Sequence, residues 1–198
     1  MKVIGVTGAS GSGKSTFVKM LAKPIIDADK IARKVVEKGE QCLDDLVDFF
    51  GKEILEKDGE LNRRKLAEIA FSSKENTLKL NEITHPYIVK IINEKIENYR
   101  KGGEKAIILD APQLFEAGCE KFCDLTVAVI ADKKIRLKRI TARDKISEAD
   151  ALKRINSSLP DSFFKEKCDM VIINNENTDK LQKEALNLIK KLGLENGE

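Results

Sequence analysis

Gly8-Ala9-Ser10-Gly11-Ser12-Gly13-Lys14-Ser15 decides how this 198-residue chain is read. The eight residues fit the spacing G-x-x-x-x-G-K-[ST], follow an apolar run from Lys2 to Thr7 and open into a helical pattern from Lys14 to Lys23. A strand that passes through such a loop into a helix N-terminus makes a cradle for phosphate. The glycines let backbone amides face inward and the helix end adds positive potential. Lys14 reaches the β and γ phosphates and Ser15 offers its hydroxyl to Mg²⁺. A plain Gly-rich turn needs neither the lysine nor the serine.

Outward from this loop, short β-branched runs recur at Pro24 to Asp27, Lys105 to Asp110, Leu125 to Ile130 and Met170 to Asn174. With Lys2 to Thr7 they read as five buried strands of a parallel sheet, because they are continuously apolar. Helical patterns from Asp132 to Arg143 and from Thr178 to Leu192 alternate with them, which implies a doubly wound, three-layer α/β core. Between the second and third strands, roughly 65 residues read as helix after helix, far longer than a crossover needs. The pieces run from Leu43 to Leu55, from Leu61 to Phe71 and from Ser73 to Arg100. A boundary is expected at Thr84-His85-Pro86, with Pro86 in the first turn of the next helix. The expected organisation is a single domain, 1–198, with its core at about 1–37 and 104–198, a helical insert at about 38–103 and a lid at about 134–160. The tail from Gly193 to Glu198 is expected to fray.

Composition narrows the function classes. Hydrophobic residues at 41% and charged residues at 35%, with both signs mixed, exclude wholesale disorder. A net charge of +3 argues against nucleic acid or an anionic membrane as the main partner. No apolar run approaches the roughly 18 residues of a membrane span, and the N-terminus lacks the pattern of a signal peptide. The expected compartment is the cytoplasm and the expected state a monomer. Cys42, Cys119, Cys123 and Cys168 contain no Cys-x-x-Cys pair and share the chain with one histidine, so they read as reduced structural residues.

Several residues stand where chemistry is placed in open α/β folds. Asp27 and Asp29 follow a strand end, where one of them is positioned to accept a hydroxyl proton; as residues alone, they read equally well as caps of a helix from Lys30 to Glu37. Asp110 ends a strand and is either a carboxylate near Mg²⁺ or a turn residue. Arg136, Arg139 and Arg143 lie near one face of a helix, as lid guanidinium groups or as a solvated face. His85 is a packing residue or a ligand contact, and Arg63 and Arg64 are an exposed basic pair or a phosphate contact.

Taken together, the chain resembles the dephospho-coenzyme A kinase family. The likeness rests on Thr7-Gly8 to Ser15-Thr16, Asp27-Ala28-Asp29 with Lys30 to Arg33, Asp58 to Arg64, Thr84-His85-Pro86-Tyr87-Ile88, Pro112 to Gly118, Arg139 to Arg143 and Asp169 to Asn175. It implies a three-layer P-loop kinase fold with a five-stranded parallel sheet, a helical substrate-binding insert and an arginine-bearing lid. It further implies ATP-dependent phosphorylation of the ribose 3′-hydroxyl of dephospho-coenzyme A, with Mg²⁺. Under that resemblance Asp29, Lys14 and Arg139 are catalytic, and Gly11, Ser12, Gly13, Lys14, Ser15, Thr16, Arg139, Asn174 and Asn175 bind ATP. Asp29, Arg63, His85, Asp110 and Glu116 bind the acceptor, and Ser15 with Asp110 holds Mg²⁺.

The chain departs from the family pattern at four places. Ala9-Ser10 stands for Gly-Ile, Gln113 for a leucine and Leu159 for a glutamine, and the link Ala22-Lys23-Pro24 is short. The loop's style is shared with uridine-kinase-like enzymes, so a nucleoside or nucleotide kinase of the same superfold is the first alternative. A P-loop regulatory NTPase is the second.

Overall fold

Strands β1 (Lys2–Thr7), β2 (Ile25–Asp27), β3 (Ala106–Asp110), β4 (Leu125–Ile130) and β5 (Met170–Ile173) form one sheet in the order β2-β3-β1-β4-β5 in the computed structural model, which describes residues 1–195. The β1–β3, β1–β4 and β4–β5 pairings are parallel. β1 is central, and the chain leaves it for one side of the sheet before returning to build the other. The loop after β1 therefore opens at the point where strand order reverses, the usual ligand crevice of a doubly wound sheet.

Nine helices lie among the described residues: α1 (Lys14–Met20), α2 (Ala28–Lys34), α3 (Gln41–Phe50), α4 (Arg63–Ala70), α5 (Lys74–Lys101), α6 (Lys133–Asp144), α7 (Glu148–Asn156), α8 (Asp161–Lys167) and α9 (Thr178–Lys191). None is long and apolar enough to cross a membrane. The chain divides into two compact units, one of Met1–Ile26 with the chain from Tyr99 on, the other Asp27–Asn98.

In the first unit, Ile4, Val6, Ile108, Val127, Val129 and Ile172 present one face of the sheet to Phe17 and Val18 of α1 and to Leu181, Ala185 and Leu188 of α9. Each fully buried large apolar side chain is worth about 1.5–3 kcal/mol, so this layer carries the unit. Ala128 and Ile130 pack with Ala9 and with Phe164 of α8 in a separate cluster. Helices α6 and α7 form a pair around Ile140, Ala151 and Ile155. Asp144 at the end of α6 binds both Arg143 and Arg154, and Ser147 caps α7 by accepting from the Asp150 amide.

The structure departs from sequence expectation at identifiable points. Burial is nearly continuous only along the inner strands: β2 and β5 are sheet edges, and Ile25 and Ile173 are exposed. Helix α1 stops at Met20, and the short link turns at Ala22 with φ 48°, a left-handed conformation rare outside glycine. The expected helix to Leu55 ends at Phe50, where Gly51 with φ 85° breaks it before a 3-10 turn, Lys52–Ile54. Helix α4 begins at Arg63 because Asn62 caps it, its side chain accepting from the Lys65 amide. The insert also contains an antiparallel bridge between Leu55 and Leu61. No boundary occurs at Pro86: α5 runs through it for 28 residues. The buried stripe Ile88, Ile92, Ile96 at four-residue spacing sustains the helix, and Pro86 lies on its exposed side. Gly193 and Leu194 do not fray, since the Leu194 amide bonds the Ile189 carbonyl and its side chain is buried; the remainder of that expectation falls outside the described residues. Helices α7 and α8 are separate elements after α6, beyond the single helical pattern that the sequence shows there.

The four cysteines are free thiols. Burial pushes Cys42, Cys119 and Cys168 up to about 11 and Cys123 up to about 12, so none is poised as a thiolate.

In the second unit, Tyr87 of α5 donates its hydroxyl to Asp45 of α3 at 2.5 Å, and Gln41 donates to the same carboxylate at 3.0 Å. These bonds hold the Asp45 carboxyl below its usual range, while the facing carboxylate pushes Tyr87 up to about 12. Because the folded carboxyl is depressed, its contribution to stability is present above the ordinary carboxylate range and lost as pH falls through it. Tyr87→Phe is therefore expected to lower the melting temperature at pH 7, with the gap to the parent closing below about pH 4. Thermal melts of both proteins across that range check it, and coincident melts at pH 7 would remove the bond from the stability of this unit.

Candidate functional site

The loop between β1 and α1 carries almost no side chains that shape it, so its form depends on what surrounds it. Gly11 has φ 79°, and a Cβ there would lie 2.9 Å from both the Arg136 carbonyl and Ile140 Cγ1 of α6. Gly13, the residue before α1, has φ 95°, and a Cβ there would meet Asn174 Nδ2 at 2.1 Å. Glycine at these two positions lets α6 and the end of β5 lie directly on the loop.

The surrounding residues hold the loop by its carbonyls. Arg136 Nε donates to the Ser10 carbonyl at 2.9 Å. Arg139 Nη1 lies 3.5 Å from the Gly11 carbonyl and 3.3 Å from that of Ser12. Asn174, buried at the end of β5, donates from Nδ2 to the Ser12 carbonyl at 2.8 Å. In a trans peptide the carbonyl and the following N–H point in opposite directions, so a Ser12 carbonyl held from outside turns the Gly13 amide the other way. Carbonyls held from outside leave the following amides turned the other way, the arrangement from which a nest of amides is built.

Lys14, first residue of α1, pairs with Asp110 at the end of β3; both side chains are largely buried. The Thr7 hydroxyl donates to the Pro112 carbonyl at 3.1 Å and ties the end of β1 to the segment after β3. Along that segment Leu114 is buried, Phe115 meets Phe163 of α8 edge-to-face at 5.3 Å, and Glu116 is exposed, although neighbouring protein raises its carboxyl above the usual range. Ser15 and Thr16 are exposed on the first turn of α1.

The three arginines of α6 differ in their surroundings. Arg136 is buried, Arg139 lies over the loop, and Arg143 is on the surface, bound by two nitrogens to Asp144. Burial lowers the Arg136 pKa, opposed by the charge of Asp161 3.6 Å away. Of the two asparagines, Asn174 holds the loop, whereas Asn175 accepts from the Asp132 amide at 2.8 Å and fixes the start of α6. Sequence reasoning missed Arg136 and Asn174 as holders of the loop. The one available signal was Arg136 four residues before Ile140, on the face of α6 that turns inward.

In the second unit, Asp27 caps α2, its side chain accepting from the Lys30 amide at 2.9 Å. Asp29 lies in the first turn of α2 and is exposed. The two aspartates therefore differ: the cap is Asp27, not both. Arg63 donates from Nη2 to the Arg33 carbonyl at 3.0 Å, linking the start of α4 to the end of α2, while Arg64 pairs with Glu68. His85 lies within α5, partly buried, and burial lowers its pKa, which keeps it neutral near pH 7.

Gly13→Ala is expected to cost more than the roughly 1–2 kcal/mol of a left-handed alanine, because its Cβ also displaces Asn174. Adding Asn174→Ala removes the obstacle and is expected to restore part of the lost melting temperature, a coupling that a double-mutant cycle measures directly. Strictly additive losses would show that the close approach does not constrain the loop.

The comparisons with known proteins converge on one family. The family model described as dephospho-CoA kinase matches residues 2–180. A dephospho-CoA kinase of Listeria monocytogenes is 44% identical over 193 residues, covering 96% of each chain. A crystal structure of a Thermus thermophilus protein superposes with a TM-score of 0.84 at 28% identity, covering 98% of both chains. A dephospho-CoA kinase from Campylobacter jejuni superposes with a TM-score of 0.62 at 28% identity, covering 96% of this chain and 97% of that one. With a phosphate loop held by three side chains at the switch point of the sheet and a match that runs through nearly the whole chain, this protein belongs to the dephospho-CoA kinase family.

Proposed function

We propose that this chain transfers the γ-phosphoryl group of ATP to the ribose 3′-hydroxyl of dephospho-CoA, giving CoA and ADP, the last step of coenzyme A synthesis. The observation that carries the reading is the preset loop, Gly8 to Ser15, with Lys14 at its helix end, in a chain whose family match spans residues 2–180. Loop amides and the α1 N-terminus receive the phosphates of ATP, and Lys14 offsets charge on the β and γ groups. To do so its ammonium exchanges Asp110 for phosphate oxygens. Arg139, already over the loop, supplies a guanidinium to the transferring group.

On the acceptor side, Asp29 is the general base. As the bond from the 3′-oxygen to Pγ forms and the bond from Pγ to the β-γ bridging oxygen breaks, the hydroxyl proton passes to Asp29 and ADP leaves. Asp27 is committed to its cap and does not share this role. Arg63, His85, Glu116 and Asp110 remain the residues proposed to contact the acceptor, and Asn175 the adenine side. Ser15 and Asp110 would hold Mg²⁺: a hydroxyl and a carboxylate are hard oxygen donors, and this cation takes few protein ligands beside water and phosphate. The bound cation would neutralise charge on the phosphates.

Mass spectrometry of dephospho-CoA incubated with ATP, Mg²⁺ and the protein tests the activity. A mass gain of one phosphoryl group is expected, and an unchanged acceptor alongside turnover of a nucleoside would replace the reading with the alternative kinase class. Asp29→Asn is expected to retain ATP binding and lose turnover by about 10²-fold or more. Asp27→Asn should stay near the parent in rate and melting temperature, since asparagine caps about as well as aspartate. Steady-state kinetics on the two variants decides the assignment, and a larger rate loss at Asp27 would place the base there.

A further inference from the structure

We propose that Arg136 is a positioning residue for the nucleotide phosphates, acting through the Ser10 carbonyl to hold the loop in its binding shape. This rests on the reading of the loop as the ATP site. Arg136 projects from the first turn of α6 and is 5% exposed. Its Nε makes one good hydrogen bond, to the Ser10 carbonyl at 2.9 Å. Its Nη1 stands 3.6 Å from Asp161 Oδ1, and its Nη2 is buried with no hydrogen-bond partner. Asp161 Oδ1 is buried and unsatisfied as well.

A buried cation so thinly satisfied is a costly way to pack a helix, and an apolar side chain would fill the place with less penalty. What the arginine alone supplies is the grip on loop backbone. Because the peptide is planar and trans, drawing the Ser10 carbonyl towards α6 turns the Gly11 amide to the opposite side of the loop. The same helix touches the loop again at Gly11, where only glycine leaves room for the Arg136 carbonyl and Ile140. Grip and contact together fix one peptide of the nest from one helix. Asp161, at the first residue of α8, balances the charge that makes this grip strong.

Arg136 touches loop backbone and not the phosphate, so its loss weakens ground state and transition state alike. That raises KM with kcat little changed, whereas a group meeting the transferring phosphoryl lowers kcat.

Arg136→Met, Arg136→Lys and Asp161→Asn in the full chain test this. The readouts are ADP affinity by calorimetry without acceptor, KM and kcat for ATP, and melting temperature. Arg136→Met is expected to raise the ADP Kd and the KM for ATP about tenfold or more, the size of one lost charge-assisted hydrogen bond, with kcat within about threefold. Arg136→Lys, which lacks the planar fork, is expected to recover part of the affinity and leave a Kd about threefold above the parent. Asp161→Asn keeps the Ser10 bond and should stay within about twofold. Parental ADP affinity in a folded Arg136→Met variant overturns the proposal, as does a fall in kcat of tenfold or more at unchanged KM. If the methionine variant does not fold, parental affinity in Arg136→Lys overturns it instead. A parent that binds no ADP sinks both this proposal and the reading of the loop. A parent that binds ADP but phosphorylates no dephospho-CoA overturns the activity alone, and the Arg136 comparison stands.

Discussion

Three carbonyl oxygens, those of Ser10, Gly11 and Ser12, are the points by which the phosphate loop is held. A loop of glycine and small residues has many conformations open to it and pays heavily in entropy to keep one. The donors that fix it come from α6 and the end of β5; both follow β4 in the chain, and β5 pairs with β4 on one side of β1. The order of strands is therefore not a neutral scaffold. It brings Arg136, Arg139 and Asn174, each more than a hundred residues away along the chain, onto three consecutive peptides.

On the other side of β1 the constraint is one of charge. Asp110 ends β3 beside Lys14, and the pair is largely withdrawn from water. A lone ammonium in that position carries a desolvation cost that the carboxylate offsets. In the proposed reaction the phosphates of ATP bring more negative charge than one carboxylate does, which would let the lysine change partners. The Thr7 hydroxyl, bound to the Pro112 carbonyl, ties the end of β1 to the segment after β3.

Two departures from the family pattern meet in one place. Ala9 is buried with Ala128, Ile130 and Phe164, and Leu159 packs against that same cluster. The added methyl of Ala9 and the aliphatic Leu159 are thus parts of one apolar contact between the loop and the region of α8. Gln113, by contrast, is exposed and carries no packing role. The short link after α1 is accommodated by Ala22 in a left-handed conformation, next to the buried Leu21.

The sequence alone determined the strand–loop–helix unit, the five strands and the helical character of the long connection. Those signals are local: glycine and lysine at fixed spacing, apolar runs and helical periodicity. Where local signals compete with burial, the tertiary structure decided. Pro86 reads as a helix boundary, yet the Ile88, Ile92, Ile96 stripe carries α5 through it. Asp27 and Asp29 are two carboxylates in one short segment, and only the turn into α2 shows that Asp27 is spent on the Lys30 amide. Three arginines on one helix look alike in a sequence, but only the packing of α6 on Gly11 buries Arg136, lays Arg139 along the loop and leaves Arg143 to Asp144. Asn174 is a plain polar residue after a strand until the sheet sets it against Gly13. Spacing along the chain fixes which way a side chain leaves its own element. What it meets there depends on distant residues, and that is settled only when the sheet closes around the loop.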